Sequence, residues 1–230
     1  NHSTELGNYD VKISQRQSIV IRADSSSQMG IGHVMRSFAL AQAWQLEGGR
    51  VIFLSQCESD SLRHRIVDSG MEFIPLSNPF PDPRDIQLTL EILRINSVDA
   101  IRNQIWLVLD GYQFDSVYQE MVRDAGFRLL VIDDMAHLTT YHTDILLNQN
   151  LGAEKLIYNC DLNTILLLGL RYVLLRQEFL SWRGWEREIP VAARKILVTM
   201  GGSDPDNVTL KVLQAFEQVQ INDLDRKSVV

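Results

Sequence analysis

Between an apolar run and an amphipathic one the chain reads RADSSSQMGIGHVMRSFALAQAW, from Arg22 to Trp44. Gly30 and Gly32 permit positive φ and let a ligand come close to the backbone. They precede a predicted helix, whose first N–H groups are unpaired and attract anions. His33 stands at that helix start, where the positive end of the helix dipole opposes a second positive charge. A neutral imidazole there accepts a proton from water, which is the work of a general base. The same residues also fit a tight turn without a ligand and a histidine exposed at a helix end. The spacing is not the GxGxxG of a dinucleotide site, and no acidic partner stands at the ribose-binding distance.

Other polar residues gather at the ends of predicted strands. They are Arg22, Asp24 and Ser25 after the first, Asp110, Gly111 and Tyr112 after the fourth, and Asp133 and Asp134 after the fifth. Gly201, Gly202, Ser203 and Asp204 follow a later strand. In an open α/β sheet, ligands lie beyond these carboxyl ends. Tyr112 would bring a hydroxyl and a ring face to an edge of the kind that holds sugars. Asp133 and Asp134 suit either a metal pair or helix capping and loop hydrogen bonds. His64, His137 and His142 lack ligand spacing, and neither HExxH nor GxSxG occurs. No metal and no cofactor are expected.

These residues need a scaffold. SIVIRA (18–23), RVIFLSQ (50–56), MEFIPL (71–76), IWLVLDGY (105–112), RLLVIDD (128–134) and DILLNQ (144–149) read as strands. Their near-continuous apolar character fits a parallel sheet covered on both faces. Helical patterns intervene: HVMRSFALAQAWQLE, then SDSLRHRIVDSG and DSVYQEMVRDAG, which end on the C-cap candidates Gly70 and Gly126. PLSNPFPDPRD is a proline-punctuated loop before the helix RDIQLTLEILRIN. The alternation predicts a doubly wound α/β domain over 18–182, preceded by a disordered arm, 1–17. Residues 183–194 read as a linker. KILVTMGGSDPDNVTLKVLQAF repeats the opening plan of strand, glycine turn and helix, so 195–230 is expected to begin a second Rossmann-like domain. The tail VQINDLDRKSVV is expected to add no further strands to it.

Bulk properties narrow the partners. The 230 residues are 45% hydrophobic and 22% charged, with a net charge of −7. That acidity argues against nonspecific nucleic-acid binding, which draws on a basic surplus, and no nucleic-acid partner is expected. The longest apolar run, TILLLGLRYVLL, is broken by Gly169 and Arg171 and falls short of the ~20 residues that cross a bilayer. NHSTELGNYDVKISQRQ has no apolar core of the kind a signal peptide carries. Cys57 and Cys160 lack CxxC spacing and read as reduced thiols. No membrane partner and a cytoplasmic location are expected.

Five ordered stretches carry a resemblance: RADSSSQMGIGHVMRSFALA, VLDGYQFD, VIDDMAHLTTYHTDILLNQN, LLLGLRYVLLRQEF and ILVTMGGSDPDN. Over about residues 18–218 the chain resembles the PseG-type UDP-2,4-diacetamido-2,4,6-trideoxy-β-L-altropyranose hydrolases of pseudaminic acid biosynthesis. The resemblance implies a MurG-like GT-B fold, with two Rossmann-like domains facing across a cleft. It also implies metal-independent attack of water on the anomeric carbon of a UDP-sugar, with inversion and release of UDP. His33 matches the family's GxGH histidine, which would activate the water, and Tyr112 matches a position near the sugar. Arg22, Asp24, Ser25, Gly30 and Gly32 would line the same pocket, and Gly201, Gly202 and Ser203 would touch phosphate. Most uridine contacts belong to a C-terminal portion that only GGSDPDN represents, and a full-length protein would supply the rest. Two alternatives share the motifs: a GT-B glycosyltransferase using a UDP-sugar donor, and a noncatalytic binding fragment of such an enzyme.

Overall fold

The computed structural model describes residues 17–78, 81–97, 105–191, 195–200, 204, 206–218 and 225–229. The expected arm lies outside them apart from Gln17, and so do Gly201, Gly202 and Ser203.

Seven strands form one parallel sheet: β1 (Ser18–Ala23), β2 (Arg50–Ser55), β3 (Glu72–Pro75), β4 (Ile105–Asp110), β5 (Arg128–Ile132), β6 (Ile145–Asn148) and β7 (Ile165–Leu168). Their order is β3-β2-β1-β4-β5-β6-β7. Chain direction across the sheet therefore reverses between β1 and β4, the topological switch point at which crevices open. Ala23 is level with Asp110 across that junction.

Alternation along β1 assigns its side chains to two cores. Ile19, Ile21 and Ala23 pack with Val34, Phe38 and Ala41 of helix α1 (Gly32–Leu46) and with Leu62 and Ile66 of α2 (Asp60–Asp68). Val20 lies on the other face with Leu90 and Leu93 of α3 (Asp85–Ile95) and Tyr118 and Val122 of α4 (Ser116–Asp124). The capping chemistry behaves as its residue types require. The side chains of Ser59 and Asp115 accept the N–H groups of Leu62 and Tyr118, and Gly70 and Gly126 take positive φ at the helix ends.

One strand was not expected at all, and one expectation about strands is corrected. TILLLGLRYVLL contains β7, an edge strand ended by Gly169 at φ +90. Its outer position leaves Ile165 and Leu166 exposed, so the run lacks the burial that its composition suggests. The chain's tail also supplies a strand. Residues Asp225–Val229 form β9, parallel to β8 (Lys195–Thr199), with α6 (Val208–Glu217) between them. DRKSV has no apolar run to announce a strand, but a helix between two parallel strands closes a βαβ unit. A short helix, α5 (Gln177–Leu180), opens the segment that leads there, in which Trp182 and Trp185 meet edge to face.

Candidate active site

Helix α1 begins just beyond the end of β1. Gly30 makes the turn at φ +78 and donates its N–H to the Ser26 carbonyl at 2.8 Å. Gly32 does not need its conformational freedom. It is the first helical residue, and a Cβ there would meet nothing within 4 Å. The helix has neither a side-chain cap nor an acid in its first turn, so its leading N–H groups are left for another acceptor.

His33, Arg36 and Ser37 lie three and four residues apart, hence on one face of α1. All three converge on Asp110 at the end of β4. His33 Nδ1 lies 2.7 Å from Oδ1, Arg36 donates Nη2 to Oδ1 at 2.6 Å and Nε to Oδ2 at 2.7 Å, and the Ser37 hydroxyl donates to Oδ2 at 2.9 Å. Asp110 is fully buried, and four donors compensate its desolvation. A carboxylate accepts only, so the close contact places a proton on Nδ1, and whenever the ring is neutral its lone pair is on Nε2. Among the described residues Nε2 has no hydrogen-bond partner, and the side chain keeps 11% exposure.

Arg36 also reaches the end of β5, where Nη1 donates to both oxygens of Asp134 at 2.7 Å. Asp134 further accepts the Tyr112 hydroxyl and the Asn150 amide, each at 2.7 Å. Burial opposes ionisation of Asp134, but the Arg36 and Tyr112 hydrogen bonds overcome it and lower its pKa. Burial also opposes the Arg36 charge, and Asp110 and Asp134 together raise its pKa. Tyr112 is pushed up to about 12, first by burial and then by its bond to Asp134. Its ring stands edge to face against His33 at 5.0 Å and against His137 at 5.7 Å.

Asp133 and Asp134 spend their oxygens on separate partners. Asp133 accepts the N–H groups of Met135 and Ala136, the hydroxyls of Tyr141 and Tyr158, and lies 2.8 Å from His137 Nδ1. Its role is loop hydrogen bonding. Among the described residues no group of three or more His, Cys, Asp or Glu could hold a metal ion.

The structure brings His33, Tyr112, Gly30 and Gly32 to one edge and removes three other expected pocket residues from it. Arg22 is fully buried, because alternation turns it away from Ala23 toward α3 and α4. There it is paired with Asp24 and Asp85 and sits 5.0 Å over the Phe114 ring. Asp24 is occupied by that arginine and by the N–H of Gln56 at 2.8 Å. Ser25 is buried and donates to Cys57 Sγ at 3.1 Å. Conversely, Arg36 and Asn150 join the cluster without having been singled out, and Asp134, expected as half of a metal pair or as a capping or loop residue, holds Arg36, Tyr112 and Asn150 instead. The H-x-x-R-S spacing carried the signal for Arg36, whereas Asn150 has none in sequence.

No family model matches the chain. An uncharacterized protein of Methanocaldococcus jannaschii is 26% identical over 202 residues, which are 85% of this chain and 39% of that protein. The UDP-2,4-diacetamido-2,4,6-trideoxy-β-L-altropyranose hydrolase of Campylobacter jejuni is 24% identical over 210 residues, 88% of this chain and 67% of that one. The crystal structure of Acinetobacter baumannii MurG superposes with a TM-score of 0.50 at 14% identity, covering 89% of this chain and 56% of its own. The fold is therefore the Rossmann-like α/β architecture of the GT-B class. Among the described residues no helix is long and apolar enough to cross a membrane.

Proposed function

We propose that the chain carries the catalytic half of an enzyme that hydrolyses a UDP-linked 2,4-diacetamido-2,4,6-trideoxy sugar at C1. The observation that carries this reading is the His33–Asp110 contact, which leaves an accepting Nε2 at the sheet's switch point. The distant likeness to the Campylobacter jejuni hydrolase supplies the substrate class.

In the reaction, His33 Nε2 takes a proton from water as the water oxygen bonds to C1. The C1–O bond to UDP breaks on the opposite face, and the electron pair leaves with the diphosphate. The free sugar is released with inverted configuration. Asp110 holds the ring and stabilises the imidazolium that forms, while the uncapped start of α1 faces the departing anion. UDP is a good leaving group, so the site needs no second carboxylate acting as acid. Residues 18–182 form the sugar-side domain in this reading, 183–194 the linker and 195–230 the start of the nucleotide-side domain, with Gly201, Gly202 and Ser203 toward phosphate. A nucleotide-sugar substrate goes with a cytoplasmic enzyme of nonulosonic acid synthesis.

The test is proton NMR of the chain with UDP-2,4-diacetamido-2,4,6-trideoxy-β-L-altropyranose and no acceptor. The expected result is UDP and free sugar of inverted anomeric configuration from the parent, and neither from His33→Ala. Turnover by His33→Ala at the parental rate would sink the reading. Transfer only when an acceptor sugar is added would replace it with a glycosyltransferase.

A further inference from the structure

Among the described side chains, His33 Nε2 and the Tyr112 hydroxyl can meet a ligand, and one guanidinium connects them. Arg36 uses Nε and Nη2 on Asp110 and Nη1 on Asp134, so its planar fork spans the ends of β4 and β5. Each carboxylate in turn fixes one proton. His33 Nδ1 has two neighbours, Asp110 Oδ1 at 2.7 Å and Arg36 Nη2 at 3.2 Å. A guanidinium has no acceptor, and an unprotonated Nδ1 would set two lone pairs against each other across the shorter contact. The Nδ1 proton therefore lies toward Asp110. The single Tyr112 proton is committed to Asp134 Oδ2 in the same way. What remains free on both groups is a lone pair.

We propose that Arg36 is the positioning residue of this site: by joining Asp110 to Asp134 it turns His33 and Tyr112 into hydrogen-bond acceptors, so these two side chains take donors of the ligand, while the N–H groups at the start of α1 are left for its anionic part. At His33 the donor is water. At Tyr112 it is an uncharged amide N–H or hydroxyl of the ligand, and a phosphate oxygen is refused there because both sides would be acceptors. The polarity follows from the structure alone, whereas the identity of the donors rests on the nucleotide-sugar reading. Lysine cannot replace Arg36, because a single ammonium is a point charge and does not bridge two carboxylates as a fork does.

Long-range proton–nitrogen spectra of the full chain, labelled at histidine nitrogens, read the polarity without any ligand. At an alkaline pH His33 in the parent is expected to carry its proton on Nδ1, with Nε2 bare. Arg36→Met removes two of the four donors that hold Asp110 against Nδ1, so it should relax the ring toward the tautomer mixture of free imidazole, and Arg36→Lys should fall between. Nε2–H in the parent, or an unchanged tautomer in either variant, overturns the proposal. If the methionine variant does not fold, the lysine variant decides alone, since a merely structural cation would leave the tautomer as it was.

The ligand arm uses the UDP-linked diacetamido sugar beside an analogue whose acetamido N–H groups are replaced by ester oxygens. The parent should show a KM at least about tenfold higher for the analogue, which corresponds to about 1.4 kcal/mol. Tyr112→Phe should erase the difference. Equal KM values in the parent overturn the donor rule at Tyr112. Failure to turn over either compound counts against the hydrolase reading, while the nitrogen spectra still decide the role of Arg36.

Discussion

Among the described residues, Arg22 and Arg36 each lie between two aspartates, and the two clusters do different work. Arg22 lies between Asp24 and Asp85, with all three side chains sealed from solvent. Arg36 lies between Asp110 and Asp134 and keeps 13% exposure, with His33 and Tyr112 attached to its aspartates. The chemistry is the same, so strand geometry makes the difference. Arg22 sits inside β1 and is turned onto the face that α3 and α4 cover. Asp110 ends its strand and Asp134 lies just beyond β5, so their cluster opens into the crevice. A sealed ion triad ties β1 to α3, whereas an open one leaves lone pairs for a ligand.

The largest expected effect tests the open cluster. His33→Ala should lower turnover on the order of 10²- to 10⁴-fold, the usual contribution of a general base, while the loss of one of the four donors on Asp110 costs about 1–3 kcal/mol in urea unfolding. The sealed cluster should respond in the opposite currency. Arg22→Met leaves two buried carboxylates without their cation and should cost about 3–5 kcal/mol in urea unfolding. If the His33 variant unfolds, or the Arg22 variant stays stable and loses only turnover, the two roles are reversed.

Smaller effects sharpen the contrast. The Tyr118 hydroxyl donates to Asp85 Oδ1 at 2.8 Å, and burial is the first cause of its raised pKa. Tyr118→Phe should cost about 1–3 kcal/mol of stability while kcat stays at the parental value. Acid unfolding probes Asp134, whose folded pKa lies below its ordinary 3.8. A depressed carboxylate contributes stability above the unfolded value and loses it as pH falls through the folded one. Urea midpoints compared at about pH 5 and pH 3 should therefore drop further for the parent than for Asp134→Asn. An equal drop would mean that Asp134 contributes nothing through its ionisation.

Much of the scaffold was legible along the chain. SIVIRA is β1 to the residue, and the glycines after α2 and α4 end those helices where left-handed backbone is required. Strand β7 was legible only as an apolar run, because an edge position cannot be read from composition. DRKSV was not legible at all, since pairing with β8 and not side-chain pattern makes it a strand. In the site, Gly30 and His33 announced themselves, and Arg36 was present in the helical spacing without being used. Arg22 was expected at the pocket from its proximity to the end of β1, whereas the alternation of the strand turns it into the core, where it pairs with Asp24 and Asp85.

The sequence alone determined the alternating strands and helices, their caps, and a histidine at the start of a helix, because each depends on residues a few positions apart. Only the tertiary structure decided which carboxylates meet that helix. His33 and Asp110 are 77 positions apart, and Arg36 and Asp134 are 98 apart. They become neighbours because the doubly wound order sets β4 beside β1 and β5 beside β4. That adjacency belongs to the sheet, and no local pattern in the chain encodes it.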